Sequence, residues 1–388
     1  GKKEETIINT ERGFNELASK NNVYYFCIDR FDEEYAEKAY ASDGEIFSEL
    51  TGFTWYQDNV SNYGHTFPAV ANMLTQKKYD ANLKRAEFLD NAYKGGDTPL
   101  DKLNENGYDV DIYTVKYYAF TDAGHLPQYV DNLAKATDES DDKISFALSA
   151  QLAGFSLYRA APLVLKQLFD TGSTSDVNGI VNKKGDDGHD EWVGTNNQAE
   201  TLAKNSFTVG DSEKKFAFIH YDGMHDILQV QNPFITSTLS KNIGVVNLFV
   251  KALKENGLYK DATIIITGDH SRPVSDISDV LSTGKTRRTA LFVKTAGSDE
   301  GFAVSEAPTS HEDIWATIFR SEDIGYNGEG VSMSSLKENE NRERTYVWHT
   351  YSTGIMYEYV YKINGPAKDF ANWKQVGDGK KYNKFLMS

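Results

Sequence analysis

A single cysteine, Cys27, sits inside an apolar run, which excludes an internal disulfide framework. No stretch of about 18 consecutive apolar residues occurs, so nothing in the chain reads as a membrane-spanning helix. Basic residues are in deficit, 41 Lys and Arg against 57 Asp and Glu, for a net charge of −16. Without a basic stripe to offset phosphate repulsion, nucleic acid is excluded as a partner, and charge alone will not hold the chain on an anionic membrane. Proline is scarce, at 8 residues, and there is neither a fixed-period repeat nor a low-complexity tract. What is present is 388 residues with 23 Tyr and 21 Phe, enough for a large core in one big α/β domain or two smaller ones. Gly1 rather than Met stands first and no signal-like segment follows it, so a targeting or anchoring part is expected ahead of it.

The most informative stretch is Asp261–Pro273, DATIIITGDHSRP. Its β-branched run Thr263–Thr267 is too short for a helix and apolar enough for a buried strand of a parallel sheet. Gly268 ends that strand, and Asp269-His270 fall at its C-terminal edge, where open α/β sheets bind ligands. Buried-strand patterns recur at Val23–Ile28 (VYYFCI, followed by Asp29), Gly52–Val60, Tyr108–Thr114, Lys215–His220 and Thr289–Lys294. Helical patterns fall between them: 33–51, 69–74 behind Pro68, 145–169, Asn242–Asn256 and Ser310–Phe319. This alternation predicts an α/β fold with a mostly parallel central sheet flanked by helices.

Three segments depart from it. Residues 1–20 read as a tether or short packing helix around Phe14 and Leu17. Residues 170–210 are polar and Gly/Asn/Asp-rich, and read as an insertion over the site that selects substrate. Beyond about residue 340, alternating Tyr346, Trp348, Tyr351, Tyr357, Tyr359 and Tyr361 predict a small antiparallel α+β subdomain, giving a main domain over 21–339 and a second unit over 340–388.

Three strand ends then line up: Asp29, the segment His220 to His225, and Asp269-His270. If those strands run parallel, all three open at one edge, and Asp and His from distant strands make a set suited to Mn²⁺ or Zn²⁺. Each residue also has a plain reading: Asp29 pairs with Arg30, His225 is a loop residue, and Asp269 caps a turn. Thr66, in Asn62–Pro68 before a helix, is a favoured N-cap type. It is equally a nucleophile if a divalent cation stabilises its alkoxide, with the helix N-terminus helping to hold a phosphate or sulfate. His65 serves as a proton shuttle or simply packs. Arg272 is the arginine best placed as an anion clamp, and His311 reads as a helix-start residue.

The ordered set resembles the alkaline phosphatase/sulfatase superfamily: strand–Asp29, a loop with Thr66 opening a helix, strand–His225, then strand–Gly268-Asp269-His270. Ser310–Thr317 is similar to the helix after the last core strand in those proteins. True sulfatases carry Cys or Ser in C/S-x-P-x-R, whereas Thr66-Phe67-Pro68-Ala69-Val70 has neither that residue nor the Arg. A threonine nucleophile is similar to lipoteichoic acid synthases and ethanolamine-phosphate transferases, which usually have Glu where Asp29 stands. The absence of a further His over 271–289 favours the lipoteichoic acid synthase pattern, although its Phe-Trp-Asn-Arg motif is missing and Trp192 is only a loose substitute.

The resemblance implies that Asp29, Thr66, Asp269 and His270 bind one divalent cation, Mn²⁺ or Zn²⁺ with Mg²⁺ also suited. His225 would contact the phosphate, with His220, His65 and Arg272 as further substrate-side candidates. It implies a monomeric, extracellular phosphotransferase or phosphodiesterase acting on a phosphate ester of a cell-surface polymer or lipid. The membrane would be reached only through an anchor preceding Gly1. A sulfatase-like or phosphate ester hydrolase is the alternative enzyme, and a non-catalytic polymer-binding scaffold the alternative outside enzymes.

Overall fold

The computed structural model describes residues 6–121, 129–137, 183–272, 287–352 and 355–386. The expected helix 145–169 and residues 170–182 of the expected insertion lie outside them. At the centre is a seven-stranded sheet in the order Phe302–Ser305, Phe53–Tyr56, Leu291–Lys294, Thr263–Thr267, Asn21–Ile28, Lys214–Tyr221, Asp109–Tyr113. Every neighbouring pair is parallel except the two made by Leu291–Lys294, which is antiparallel to both its partners. The mostly parallel α/β architecture read from the sequence is what forms.

Both faces of the sheet are covered, which is why its inner strands are continuous apolar runs. Tyr24, Phe26 and Ile28 pack toward the helices Glu33–Ser42, Asn196–Ala203 and Ile235–Glu255. The alternate residues Val23, Tyr25 and Cys27 pack toward Thr66–Thr75, Pro99–Glu105 and Asp313–Ser321. Phe249 anchors the first face, with ring centroids 5.3, 5.1, 5.2 and 4.9 Å from Phe14, Tyr24, Phe26 and Phe207. Its helix starts at Ile235 rather than Asn242, because buried Ile235 and Leu239 extend the same stripe. The first helix stops at Ser42, well before residue 51; Asp43 caps it, while Phe47 and Leu50 are still buried in the turns beyond.

The described part of the N-terminal segment, 6–20, is not a helix. Ile7–Asn9 pairs antiparallel with Leu133–Lys135, and Glu16–Leu17 pairs parallel with Thr208–Val209. Phe14 and Leu17 are buried as expected, Phe14 in the turn closed by its N–H to Glu11 O at 3.2 Å and Leu17 in the short strand that follows. The described part of the insertion, 183–210, is built into the wall of the domain. Trp192 is buried against Phe14 at 5.3 Å and its Nε1 donates to the His220 carbonyl at 3.1 Å, while Thr195 caps the helix that follows.

The C-terminal strands Glu343–Ser352, Ile355–Asn364 and Trp373–Tyr382 form the expected antiparallel sheet. It docks on the loop before Thr66: Gly64 N donates to Val347 O at 3.0 Å and Val347 N to Asn62 O at 2.8 Å.

Candidate metal and nucleophile site

Asn21–Ile28 lies between Thr263–Thr267 and Lys214–Tyr221 and parallel to both, so Asp29, Asp269-His270 and the His220 end share one sheet edge. Close approach of these loops needs Gly268, where a Cβ would stand 2.7 Å from Phe31 N.

Ligand atoms of Asp29, His220 and Asp269 lie within 4.8 Å of one another, all three residues buried. His270 Nε2 is 3.3 Å from Asp269 Oδ2 and 4.0 Å from Asp29 Oδ1, and His220 Nε2 is 3.9 Å from Asp29 Oδ2. The last two separations exceed a hydrogen bond. The far side of each ring is held: His270 Nδ1–H donates to Ser271 O at 2.6 Å, and His220 Nδ1 bonds Thr114 Oγ1 at 2.8 Å. This leaves the two Nε2 atoms facing the cluster. Asp269 Oδ1 accepts from Arg30 N at 3.0 Å and His270 N at 2.8 Å, which turns Oδ2 inward.

Asp29 Oδ1, Asp269 Oδ2 and His220 Nε2 are buried with no hydrogen-bond partner. Leaving such atoms unsatisfied costs about 1–3 kcal/mol each, more when charged, unless a ligand meets them. Two carboxylate oxygens and imidazole nitrogens at one point fit a divalent cation. The electrostatics are mutually dependent. Burial pushes the Asp29 carboxyl up, but His220, His270 and His225 outweigh it and hold the group below its ordinary value. Burial pushes His220 down, but Asp29 and Asp269 outweigh it and raise it.

Thr66 reaches the same point. The N-cap of its helix is His65, which makes no side-chain capping bond, and the first regular bond runs from Ala69 N to His65 O at 3.1 Å. The Thr66 hydroxyl instead meets His270 Nε2 at 3.3 Å. His65 Nε2–H donates to His349 O at 2.6 Å, and burial followed by the charge of His270 takes its pKa down to about 3. It is a neutral ring tied to the C-terminal sheet.

The other candidates fall outside the cluster. The His225 side chain is 49% exposed at the rim, its Nδ1 3.6 Å from Asp226. The Arg272 guanidinium is engaged by Asp32 at 2.8 Å and Glu34 at 3.1 Å, and braces the first helix. His311 Nε2–H donates to Thr267 Oγ1 at 3.1 Å, whose own hydroxyl donates to Ala290 O. Residues without any signal of their own in the sequence also border the site. The Asp222 carboxyl is pushed up to about 6 by burial and then Asp29, and the Tyr118 phenol up to about 12 by burial, Asp29 and Asp269. Thr114, at the end of the edge strand, orients His220.

No protein-family profile matches the chain, and no curated protein matches it by sequence. Solved structures do match. Ps i-CgsB in complex with k-i-k-neocarrahexaose superposes with a TM-score of 0.55 at 13% identity, covering 94% of this chain and 86% of that one. Phosphonate monoester hydrolase SpPMH from Silicibacter pomeroyi gives 0.51 at 12% identity, covering 93% and 90%. A 2-O GAG sulfatase gives 0.51 at 11% identity, covering 94% and 85%. The fold is that of the alkaline phosphatase superfamily. Lipoteichoic acid synthase LtaP from Listeria monocytogenes matches at a TM-score of 0.45 and 12% identity, covering 96% of this chain and 90% of that one.

Proposed function

We propose that the chain is a metal-dependent phosphotransferase or phosphodiesterase acting on phospho-alcohol groups of cell-surface polymers or lipids, with Thr66 as nucleophile. The observation that carries this reading is the Thr66 hydroxyl set on His270 Nε2, beside three buried ligand atoms that no other group satisfies. Asp29, Asp269, His270 and Thr66 would hold the cation, with His220 Nε2 as a further donor. A divalent cation there, Mn²⁺ or Zn²⁺ with Mg²⁺ also suited, would acidify the Thr66 hydroxyl and draw charge from a phosphoryl oxygen. Thr66 Oγ1 forms a bond to phosphorus while the ester oxygen leaves, protonated, as the alcohol. Water or a second alcohol then displaces Thr66. The Thr66 to Val70 stretch, lacking the oxidisable residue and the Arg of the sulfatase signature, favours phosphoryl over sulfuryl transfer.

A sulfatase-like or simple phosphate ester hydrolase is the second reading, supported by the sulfatase among the matches. An oligosaccharide bound to one structural relative supports a polymeric substrate. Among the described residues no helix is long and apolar enough to cross a membrane. A non-catalytic scaffold has no use for the buried cluster.

Brief exposure of metal-loaded protein to a phosphodiester, followed by mass spectrometry, should reveal a phosphoryl-type adduct on Thr66 that chelation abolishes. Turnover with no adduct, and undiminished in Thr66→Ala, would make water the nucleophile.

A further inference from the structure

Near this site lies a buried cation with no counter-ion among the described residues. Arg287 is 3% exposed, and its Nε and Nη1 make no hydrogen bond. Tyr346, Arg272, Asp32 and Glu34 are the groups whose charges act on it most. Both of those carboxylates are already held by Arg272, at 2.8 and 3.1 Å. The adjacent Arg288 shows the ordinary alternative, donating to Glu37 at 2.9 Å and to Gln57 O at 2.8 Å. Taking an unpaired guanidinium out of water is among the more costly arrangements a fold can keep. Burial accordingly pulls the Arg287 pKa down.

Its position gives that cost a use. The Tyr346 ring packs on the nucleophile loop: a Cβ built on Gly64, two residues before Thr66, would stand 2.4 Å from the Tyr346 hydroxyl. Asp32, its other neighbour, is three residues beyond Asp29. Arg287 therefore lies near both loops that supply the site.

We propose that Arg287 forms a subsite for a tetrahedral oxyanion, a phosphate or sulfate group of the substrate other than the one that reacts. A planar guanidinium offering Nε and an Nη together matches two oxygens of such a group. A polymer with an anionic group on every repeat presents a second one next to the first, so the subsite would select polyanionic chains. The inference extends the proposed phosphoryl-transfer reading, but its test needs neither metal nor turnover.

Inorganic sulfate is titrated into chelator-treated protein while thermal unfolding is followed, with chloride at equal ionic strength as control. The wild type should show a saturable rise in Tm at low sulfate, ahead of the gradual rise that sulfate gives any protein. Arg287→Met should lose the saturable part and, in sulfate-free buffer, unfold at or above the wild-type temperature, because an unpaired buried charge has been removed. Arg287→Lys should keep a weaker response. A paired Asp29→Asn, Asp269→Asn variant should respond as the wild type does, which separates this subsite from the catalytic reading. Retention of the saturable shift in Arg287→Met, or a fall in its sulfate-free Tm of several degrees, would overturn the proposal.

Discussion

Thr66 Oγ1 lies 3.3 Å from His270 Nε2 across 204 residues of chain. Because His270 Nδ1–H is committed to the Ser271 carbonyl, its Nε2 is the ring atom left to face the threonine hydroxyl.

Thr66→Ala should therefore separate stability from activity. Loss of a true N-cap costs about 0.5–2 kcal/mol. Thr66 makes no capping bond, so the change in denaturant midpoint should fall below that range while turnover of a phosphodiester nearly vanishes. Thr66→Ser keeps the oxygen and should retain measurable activity.

Asp269→Asn tests the cluster as a cation site. Wild-type protein should gain about 2.7 kcal/mol of stability when Mn²⁺ or Zn²⁺ stands at 100 times its dissociation constant. Asp269 offers its only inward oxygen, Oδ2, to the cluster, so the variant should lose affinity by about 10–100-fold or more. Isothermal titration with each ion measures this, and equal affinity in the variant would remove Asp269 from the ligand set.

Gly64→Ala should damage the site from a distance. The added methyl would stand 2.4 Å from the Tyr346 hydroxyl and 2.7 Å from Trp348 Cδ1, so the Asn62–Thr66 loop must shift away from the C-terminal sheet. Overpacking of this kind costs about 1–3 kcal/mol. Metal affinity and turnover should fall together in a protein that still unfolds cooperatively.

Acid stability depends on His311. Burial, then the charge of His270, takes its pKa from 6.5 down to about 3. The unfolded chain binds a proton below about pH 6.5 that the folded one refuses, so stability is present above that pH and is lost as pH falls toward 3. By about pH 5 this single residue should have removed about 2 kcal/mol. His311→Gln should flatten the decline in denaturant midpoint between pH 7 and pH 5, and an unchanged slope would mean the ring is protonated in the fold.

What could be read in advance was local chemistry. The β-branched Thr263–Thr267 and the apolar Val23–Ile28 can hardly be anything but inner strands, and residues directly after such strands fall at the binding edge. Asp29, Asp269 and His270 were legible for that reason, and so was the tyrosine alternation of the C-terminal sheet. The ambiguity at His220 and His225 could not be resolved from spacing. Both stand at the same strand end, and only the packed structure turns one Nε2 toward Asp29 and leaves the other ring half in solvent.

The sequence by itself determined the strand-and-edge grammar, because backbone preference and apolar burial act over a few residues. Tertiary structure alone decided which charges are satisfied. Arg272 and Arg287 look alike in sequence, yet one holds Asp32 and Glu34 and the other keeps Nε and Nη1 without a hydrogen-bond partner among the described residues. The N-terminal residues became strands because Leu133–Lys135 and Thr208–Val209, more than a hundred residues away, supply their hydrogen bonds. Pairing depends on what arrives from elsewhere in the chain, and no local pattern records it.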